Sequence, residues 1–182
     1  IWGKLMFFIW VCVKKGLTPC GFRYICKMDI EIITIGDELL IGQTVDTNSV
    51  YLAQVLAPLG LNISRKTAIR DDKNSIVTAL NESFSRVNLV IITGGLGPTN
   101  DDITKSVLQE YYGCGTRIDE SVLQHLERIF ANRSPELLAI NKMQALLPDC
   151  SKTLFNSQGT APGMWFEKEG RYLAAMPGVP GE

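Results

Sequence analysis

Two groups of residues in this 182-residue chain have the types and spacing for phosphate chemistry. The first is the run from Gly94 to Asp102, GGLGPTNDD. Its glycines permit positive φ and close backbone approach, so amide N–H groups can surround phosphate oxygens where a helix follows. The run lacks GxxxxGK[ST], and Asn100 stands where GxGxxG needs its third glycine, so neither common nucleotide fingerprint applies. The second group is acidic: Asp102 beside the loop, and the pair Asp71-Asp72 directly after residues 61–70, which read as a strand. A carboxylate repels a phosphate unless a cation lies between them, and these oxygens suit Mg²⁺ or Mn²⁺. A tight turn with an aspartate capping the next helix uses the same residues and is the plain alternative at both places.

Weaker candidates surround these. Asp37 and Glu38, after Gly36, form either an acid pair near a metal or ribose, or a polar turn. Asp46, Thr47, Asn48 and Ser49 can hydrogen-bond a nucleoside or sugar, or cap a helix. His125, the single histidine, reads as a solvated side chain on a surface helix, which leaves no Ser/His/Asp or Cys/His nucleophile system to assemble. Cys114 and Cys150 read as reduced, space-filling thiols of a cytosolic protein, because no CxxC pair or Cys/His cluster implies zinc or a disulfide framework.

The elements that must position these residues follow from periodicity. DIEIITIG from Asp29 has the β-branched texture of a buried strand. Asp46 or Thr47 then caps a helix with Tyr51, Leu52, Val55, Leu56 and Leu59 on one face, stopped by Gly60. Residues 61–70 read as a second strand, and Asp71-Asp72 opens a helix with Ile76, Val77, Leu80 and Phe84 on one side. Leu89 to Thr93 is a third strand feeding the glycine loop and a helix that carries Ile103, Val107, Leu108 and Tyr111. Two amphipathic helices are expected near 119–131 and 135–147, then short strands pairing Met164–Glu167 with Tyr172–Ala175 around Gly170. This alternation predicts an α/β domain with a mostly parallel sheet, whose ligand site lies at the carboxyl ends of the strands.

Composition sets the outer limits. Residues 1–27 hold five of the 18 basic residues and none of the 19 acidic ones, so positions 28–182 keep 13 against 19, a net charge of −6. An acidic body lacks the basic stripe that nucleic-acid binding requires. Leu5 to Val13 is nine apolar residues, too short to span a bilayer, and Lys14-Lys15 follow without a small-x-small cleavage site. Residues 1–27 are therefore expected to be an upstream segment outside the fold, with Met28 as the natural start.

Taken in order, ITIGDELLIGQTVDTNSVYLAQVL at 33–56, Asp71-Asp72, IITGGLGPTNDDIT at 91–104, NKMQALLP at 141–148, NSQGTAPGM at 156–164 and MPGVPGE at 176–182 resemble the N-terminal domain of CinA-like (competence/damage-inducible) proteins, of the molybdopterin-binding MoCF fold. The resemblance implies a three-layer α/β/α sandwich over residues 28–182. It also implies metal-dependent hydrolysis of ADP-ribose to AMP and ribose 5-phosphate, with Mg²⁺, Mn²⁺ or Co²⁺. It casts Asp71 and Asp102 as the residues acting around the metal. Gly94, Gly95, Gly97, Pro98 and Thr99 would cradle phosphate, and Gly36, Asp37, Glu38, Asp46, Asn48, Asn156, Gly159 and Thr160 would line the rest of the substrate pocket. The implied partner is a small nucleotide, with no nucleic acid or membrane, and the family suggests a cytoplasmic homo-oligomer. Relatives often continue into a second domain with nicotinamide-mononucleotide amidohydrolase activity; those residues are not in this sequence, and MPGVPGE stops at Glu182 where relatives continue, so a C-terminally truncated domain is expected. Two rival readings are a molybdopterin-binding or adenylylating domain, against which GDELL, DTNS and GTAPG favour the CinA branch, and a non-catalytic module.

Overall fold

The computed structural model describes residues 28–97, 103–131 and 135–178. The expected segment 1–27, and Pro98, Thr99 and Asp102 of the glycine loop, lie outside the described residues.

The strand β1 (Met28–Ile35) is buried from Ile30 onward. It pairs in parallel with β2 (Leu61–Ile69) on one side and β3 (Leu89–Thr93) on the other. The remaining strands of the main sheet are β6 (Lys152–Leu154), β7 (Gly163–Lys168) and β8 (Arg171–Met176), giving the order β2-β1-β3-β8-β7-β6. β8 is parallel to β3, while β7 and β6 are antiparallel additions at that edge. The hairpin expected around Gly170 forms with Met164 opposite Ala175 and Glu167 opposite Tyr172.

Side-chain alternation divides the core into two layers. Ile30, Ile32, Leu89 and Ile91 face Leu52 and Leu56 of α2 (Thr47–Leu56), whereas Ile33, Ile35, Val90 and Ile92 face Ile76, Leu80 and Phe84 of α3 (Lys73–Phe84) and Val107 and Leu108 of α4 (Thr104–Tyr112). Each fully buried aliphatic side chain contributes about 1.5–3 kcal/mol. Helices on both faces of a mostly parallel sheet make the three-layer α/β/α sandwich that the sequence led us to expect. Of the apolar face expected here only Leu52 and Leu56 are fully buried; Tyr51 of α2 and Leu59, in the short 3-10 turn Ala57–Leu59 that follows it, are exposed. Glu31 is 2% exposed within the α3 layer, where the Arg86 guanidinium donates to both carboxylate oxygens at 2.6 and 2.9 Å.

Three expectations change between residues 112 and 151. The helix expected over 135–147 ends earlier, as α6 (Pro135–Lys142), because Leu146–Pro148 forms β5, antiparallel to β4 (Thr116–Ile118). That ribbon supports α5 (Glu120–Phe130), whose N-cap Asp119 also accepts from Arg117 and Thr153. Burial alone would raise the Asp119 pKa, but hydrogen bonds from Ser121, Thr153 and Arg117 outweigh it and hold the carboxyl well below its usual range. His125 is half-buried and edge-on to Phe155, with ring centroids 5.0 Å apart, rather than solvated. Cys114 and Cys150 are not separate thiols: the β4–β5 pairing brings their Cα atoms to 5.9 Å, and they close a disulfide.

Candidate functional site

The chain leaves β1 for β2 through α2 on one face and returns from β2 to β3 through α3 on the other, so the direction of winding reverses at β1. Diverging loops at such a reversal leave a crevice beyond the carboxyl ends of the strands. There the structure holds a cleft of about 460 Å³.

Four strand ends build its walls. After β1, Gly36 leads into α1 (Asp37–Leu40), a single turn that brings Glu38 and Leu39 to the cleft. Asp46 and Asn48 contribute from the start of α2, Asp71 follows β2, and Gly94, Gly95 and Gly97 follow β3. The loop after β8 closes the remaining side with Pro177 and Gly178. Thr160 lies on the segment before β7. The sequence-predicted residues Gly36, Glu38, Asp46, Asn48, Asp71, Gly94, Gly95, Gly97 and Thr160 are thus brought together.

Three predicted residues do not line the cleft. Asp37 is exposed in the first turn of α1. Asn156 is 2% exposed; its side-chain oxygen accepts from the Gln158 and Gly159 amides and its Nδ2 donates to the Ala161 carbonyl at 3.1 Å. It shapes the loop carrying Thr160, and Gly159 is buried in that same turn.

The acidic pair splits into two roles. Asp72 caps α3, accepting from the Ser75 amide at 2.9 Å and the Ser75 hydroxyl at 2.6 Å; the hydroxyl is the main cause holding its pKa below the ordinary value. Asp71 faces the cleft. Asp46 combines both roles, lining the cleft while its carboxylate accepts from the Ser49 amide and hydroxyl. Asn48 donates to the Gly178 carbonyl at 2.8 Å, tying α2 to the loop after β8.

Glycine is required at 94 and 95 for different reasons. Gly94 has φ +106°, its N–H donates to the Met176 carbonyl at 3.0 Å, and a Cβ there would lie 2.1 Å from the Ile35 carbonyl oxygen. Its contribution is close approach between β1 and β3, since its own amide is already engaged. Gly95 has φ +64°, and a Cβ there would lie 2.1 Å from Thr104 Oγ1 and 3.2 Å from Asp71 Oδ2. Thr104 begins α4 and is completely buried, its amide donates to the Gly95 carbonyl, and its hydroxyl has no hydrogen-bond partner among the described residues.

Thr104 and Gly178 were missed by sequence reasoning. The available signals were a hydroxyl residue two positions after Asp102 at a helix start, and a glycine inside the final motif. Electrostatically, the described lining residues include three carboxylates, Glu38, Asp46 and Asp71, and no Lys, Arg or His.

This winding order and crevice define a doubly wound α/β/α domain with its ligand site at the strand ends. A family profile described as a probable molybdopterin binding domain matches residues 31–182. A CinA-like protein of Cytophaga hutchinsonii is 47% identical over 152 residues, spanning 84% of this chain and 36% of that protein. A putative competence-damage inducible protein of Caldicellulosiruptor bescii is 43% identical over 155 residues, 85% of this chain and 38% of that one. The crystal structure of a CinA protein of unknown function from Thermoplasma acidophilum superposes with TM-score 0.72 at 32% identity, covering 86% of this chain and 91% of that one. Thermus thermophilus MoaB, a molybdopterin biosynthesis enzyme, shares the fold with TM-score 0.51 at 18% identity, covering 84% of this chain and 82% of that one. The chain belongs to the CinA-like proteins, on their molybdopterin-binding-type domain, and spans just over a third of the length of the curated relatives it matches.

Proposed function

We propose that the cleft hydrolyses ADP-ribose to AMP and ribose 5-phosphate with the help of a divalent cation. The observation that carries this reading is the conjunction of a glycine turn with three carboxylates and no basic side chain among the described residues of the cleft. A diphosphate entering such a cleft meets net negative charge, which a cation relieves.

The donor set fits a hard cation. Asp71 offers carboxylate oxygens, and the buried Thr104 hydroxyl, without a hydrogen-bond partner among the described residues, lies beside it below Gly95. Oxygen donors of this kind favour Mg²⁺ or Mn²⁺. Asp71 and, by the family resemblance, Asp102 would hold the ion, which when bound supplies neutralisation of charge developing on the phosphoryl oxygens. The amides of Gly95 and Gly97 would receive non-bridging oxygens, as preorganised donors do. Asp46 and Asn48, which line the cleft, suit the ribose hydroxyls. A cleft carboxylate orients the water that attacks phosphorus, and the P–O bond to the second phosphoryl group breaks as AMP leaves.

The test is AMP release from ADP-ribose by the purified chain with Mg²⁺, Mn²⁺ or Co²⁺, beside Asp71→Asn checked for folding by circular dichroism. Metal-dependent AMP release that falls at least about 100-fold in Asp71→Asn is expected, the scale of removing a preorganised charge-stabilising group. A folded chain with no turnover in any of the metals overturns the reading. The family profile's description favours pterin binding in the same cleft as the second reading; fluorescence titration with molybdopterin separates the two.

A further inference from the structure

Away from the cleft, the end of α4 and the end of β5 are stitched together by backbone. Gly113 turns the chain left-handed with φ +66°, and the Cys114 amide donates to the Gln109 carbonyl at 3.1 Å. β4 then runs opposite β5, with Thr116 across from Pro148, and the Asp149 amide donates to the Gly115 carbonyl at 3.0 Å. Ser151 closes the far side through its amide and hydroxyl, both on the Pro148 carbonyl.

Three ligand-type side chains meet at this junction. The sulfurs of Cys114 and Cys150 and a carboxylate oxygen of Asp149 all lie within 4.8 Å of one another. Gly115 makes room for the carboxylate, since a Cβ there would lie 2.7 Å from Asp149 Oδ2. Cys114 is half-buried, while Asp149 and Cys150 are exposed, so ions and small reductants reach the group from solvent. Backbone and Ser151 hydrogen bonds place the three residues, with Cys114 Sγ also 3.7 Å from the Gln109 carbonyl oxygen, and none of these contacts needs the sulfur–sulfur bond.

We propose that this cluster is a second metal site, open only when reduced: Cys114 and Cys150 as thiolates, with Asp149 as carboxylate, bind a zinc-class divalent cation, and the disulfide is the closed form. Opening takes two electrons and two protons from a dithiol, which becomes a disulfide as Cys114 and Cys150 become thiols; cation binding then releases the two thiol protons. Tetrahedral coordination with zinc–sulfur bonds of about 2.3 Å sets the sulfurs about 3.8 Å apart, a separation that rotation of the exposed Cys150 side chain supplies. Three protein ligands leave the fourth position to water. Paired thiolates select zinc-class ions over Mg²⁺, whereas the cleft offers oxygen alone, so the two sites sort cations by softness.

The test uses the full chain carrying Cys12→Ser, Cys20→Ser and Cys26→Ser, so that Cys114 and Cys150 are its remaining cysteines. The protein is reduced with a dithiol, desalted without oxygen, assayed for two titratable thiols, and titrated with Co²⁺. One equivalent of Co²⁺ producing a near-ultraviolet thiolate-to-metal band, displaced by Zn²⁺ and absent from the oxidised protein and from Cys150→Ser, is the expected result. Asp149→Asn is expected to weaken Co²⁺ binding at least about tenfold, the lower end for loss of an interaction supporting a metal. A disulfide that the dithiol leaves closed, a reduced and folded protein without the band, or a band that persists in Cys150→Ser overturns the proposal. Undiminished affinity in Asp149→Asn overturns the three-ligand set.

Discussion

Gly95→Ala is expected to destabilise the domain through one identifiable collision. The new methyl must enter a backbone at φ +64°, which costs about 1–2 kcal/mol for a residue with a Cβ. It would also sit 2.1 Å from Thr104 Oγ1 and 3.1 Å from Thr104 Cβ. Because Thr104 is completely buried, it has no solvent to retreat into, and overpacking adds about 1–3 kcal/mol. The total is about 2–5 kcal/mol in urea unfolding, or roughly 4–20 °C in Tm at about 2–4 °C per kcal/mol for a chain of this size. The decisive assay is a double-mutant cycle with Thr104→Ala. That substitution removes the atom at 2.1 Å and leaves the looser contacts at 3.1 Å to Cβ of residue 104 and 3.2 Å to Asp71 Oδ2, so the double variant is expected to recover about 1–2 kcal/mol relative to additivity. Gly94→Ala is the internal control: its collision is with the Ile35 backbone carbonyl, and Thr104→Ala gives it no relief. Additivity of Gly95→Ala and Thr104→Ala within about 0.5 kcal/mol would refute the packing of Thr104 beneath Gly95.

Arg86→Gln is expected to destabilise the domain at neutral pH, because the buried Glu31 carboxylate loses its main partner, with the loss tempered by the 35% exposure of the Arg86 side chain. Arg86, as the leading cause, holds the Glu31 pKa below its ordinary value, so the pair's contribution is full above the ordinary carboxylate range and is lost as pH falls through the lowered folded value. Stability curves of the two proteins, measured by urea unfolding from pH 7 to pH 3, should therefore converge on the acid side; a constant gap would remove the ion pair as the cause. Asn156→Ala strands the Ala161 carbonyl and the Gln158 and Gly159 amides, and is expected to cost about 2–3 kcal/mol in the same assay. If the loop is a scaffold for Thr160, ADP-ribose turnover falls with it through a higher KM; an unchanged KM would separate the loop from the cleft.

What the sequence disclosed and what it withheld follow a physical division. β1, β3 and the α3 helix were legible because period and burial agree over five to twelve residues. The β4–β5 ribbon was not, since TRI and LLP are three residues each and their pairing spans a separation no local pattern reports. The same ribbon explains why Cys114 and Cys150, 36 positions apart, were read as unrelated thiols. Within the site, residue types located the acidic pair and the glycine loop, but only the capping geometry of Ser75 assigns Asp72 to the helix and leaves Asp71 to the cleft. Thr104 carried no periodic signal, because its meaning lies in the missing Cβ of Gly95.

The strand order has a bearing on synthesis. β3 is flanked by β1, made before it, and by β8, made last among the described strands. While a ribosome is still translating the helices between them, the apolar segment LVIIT has one unsatisfied edge, the kind of template on which nascent chains stick to one another. A chaperone's occupancy on this polypeptide should therefore rise once β3 has emerged and fall only after Arg171–Met176 has cleared the exit tunnel, making the late hairpin the latch that ends the vulnerable interval.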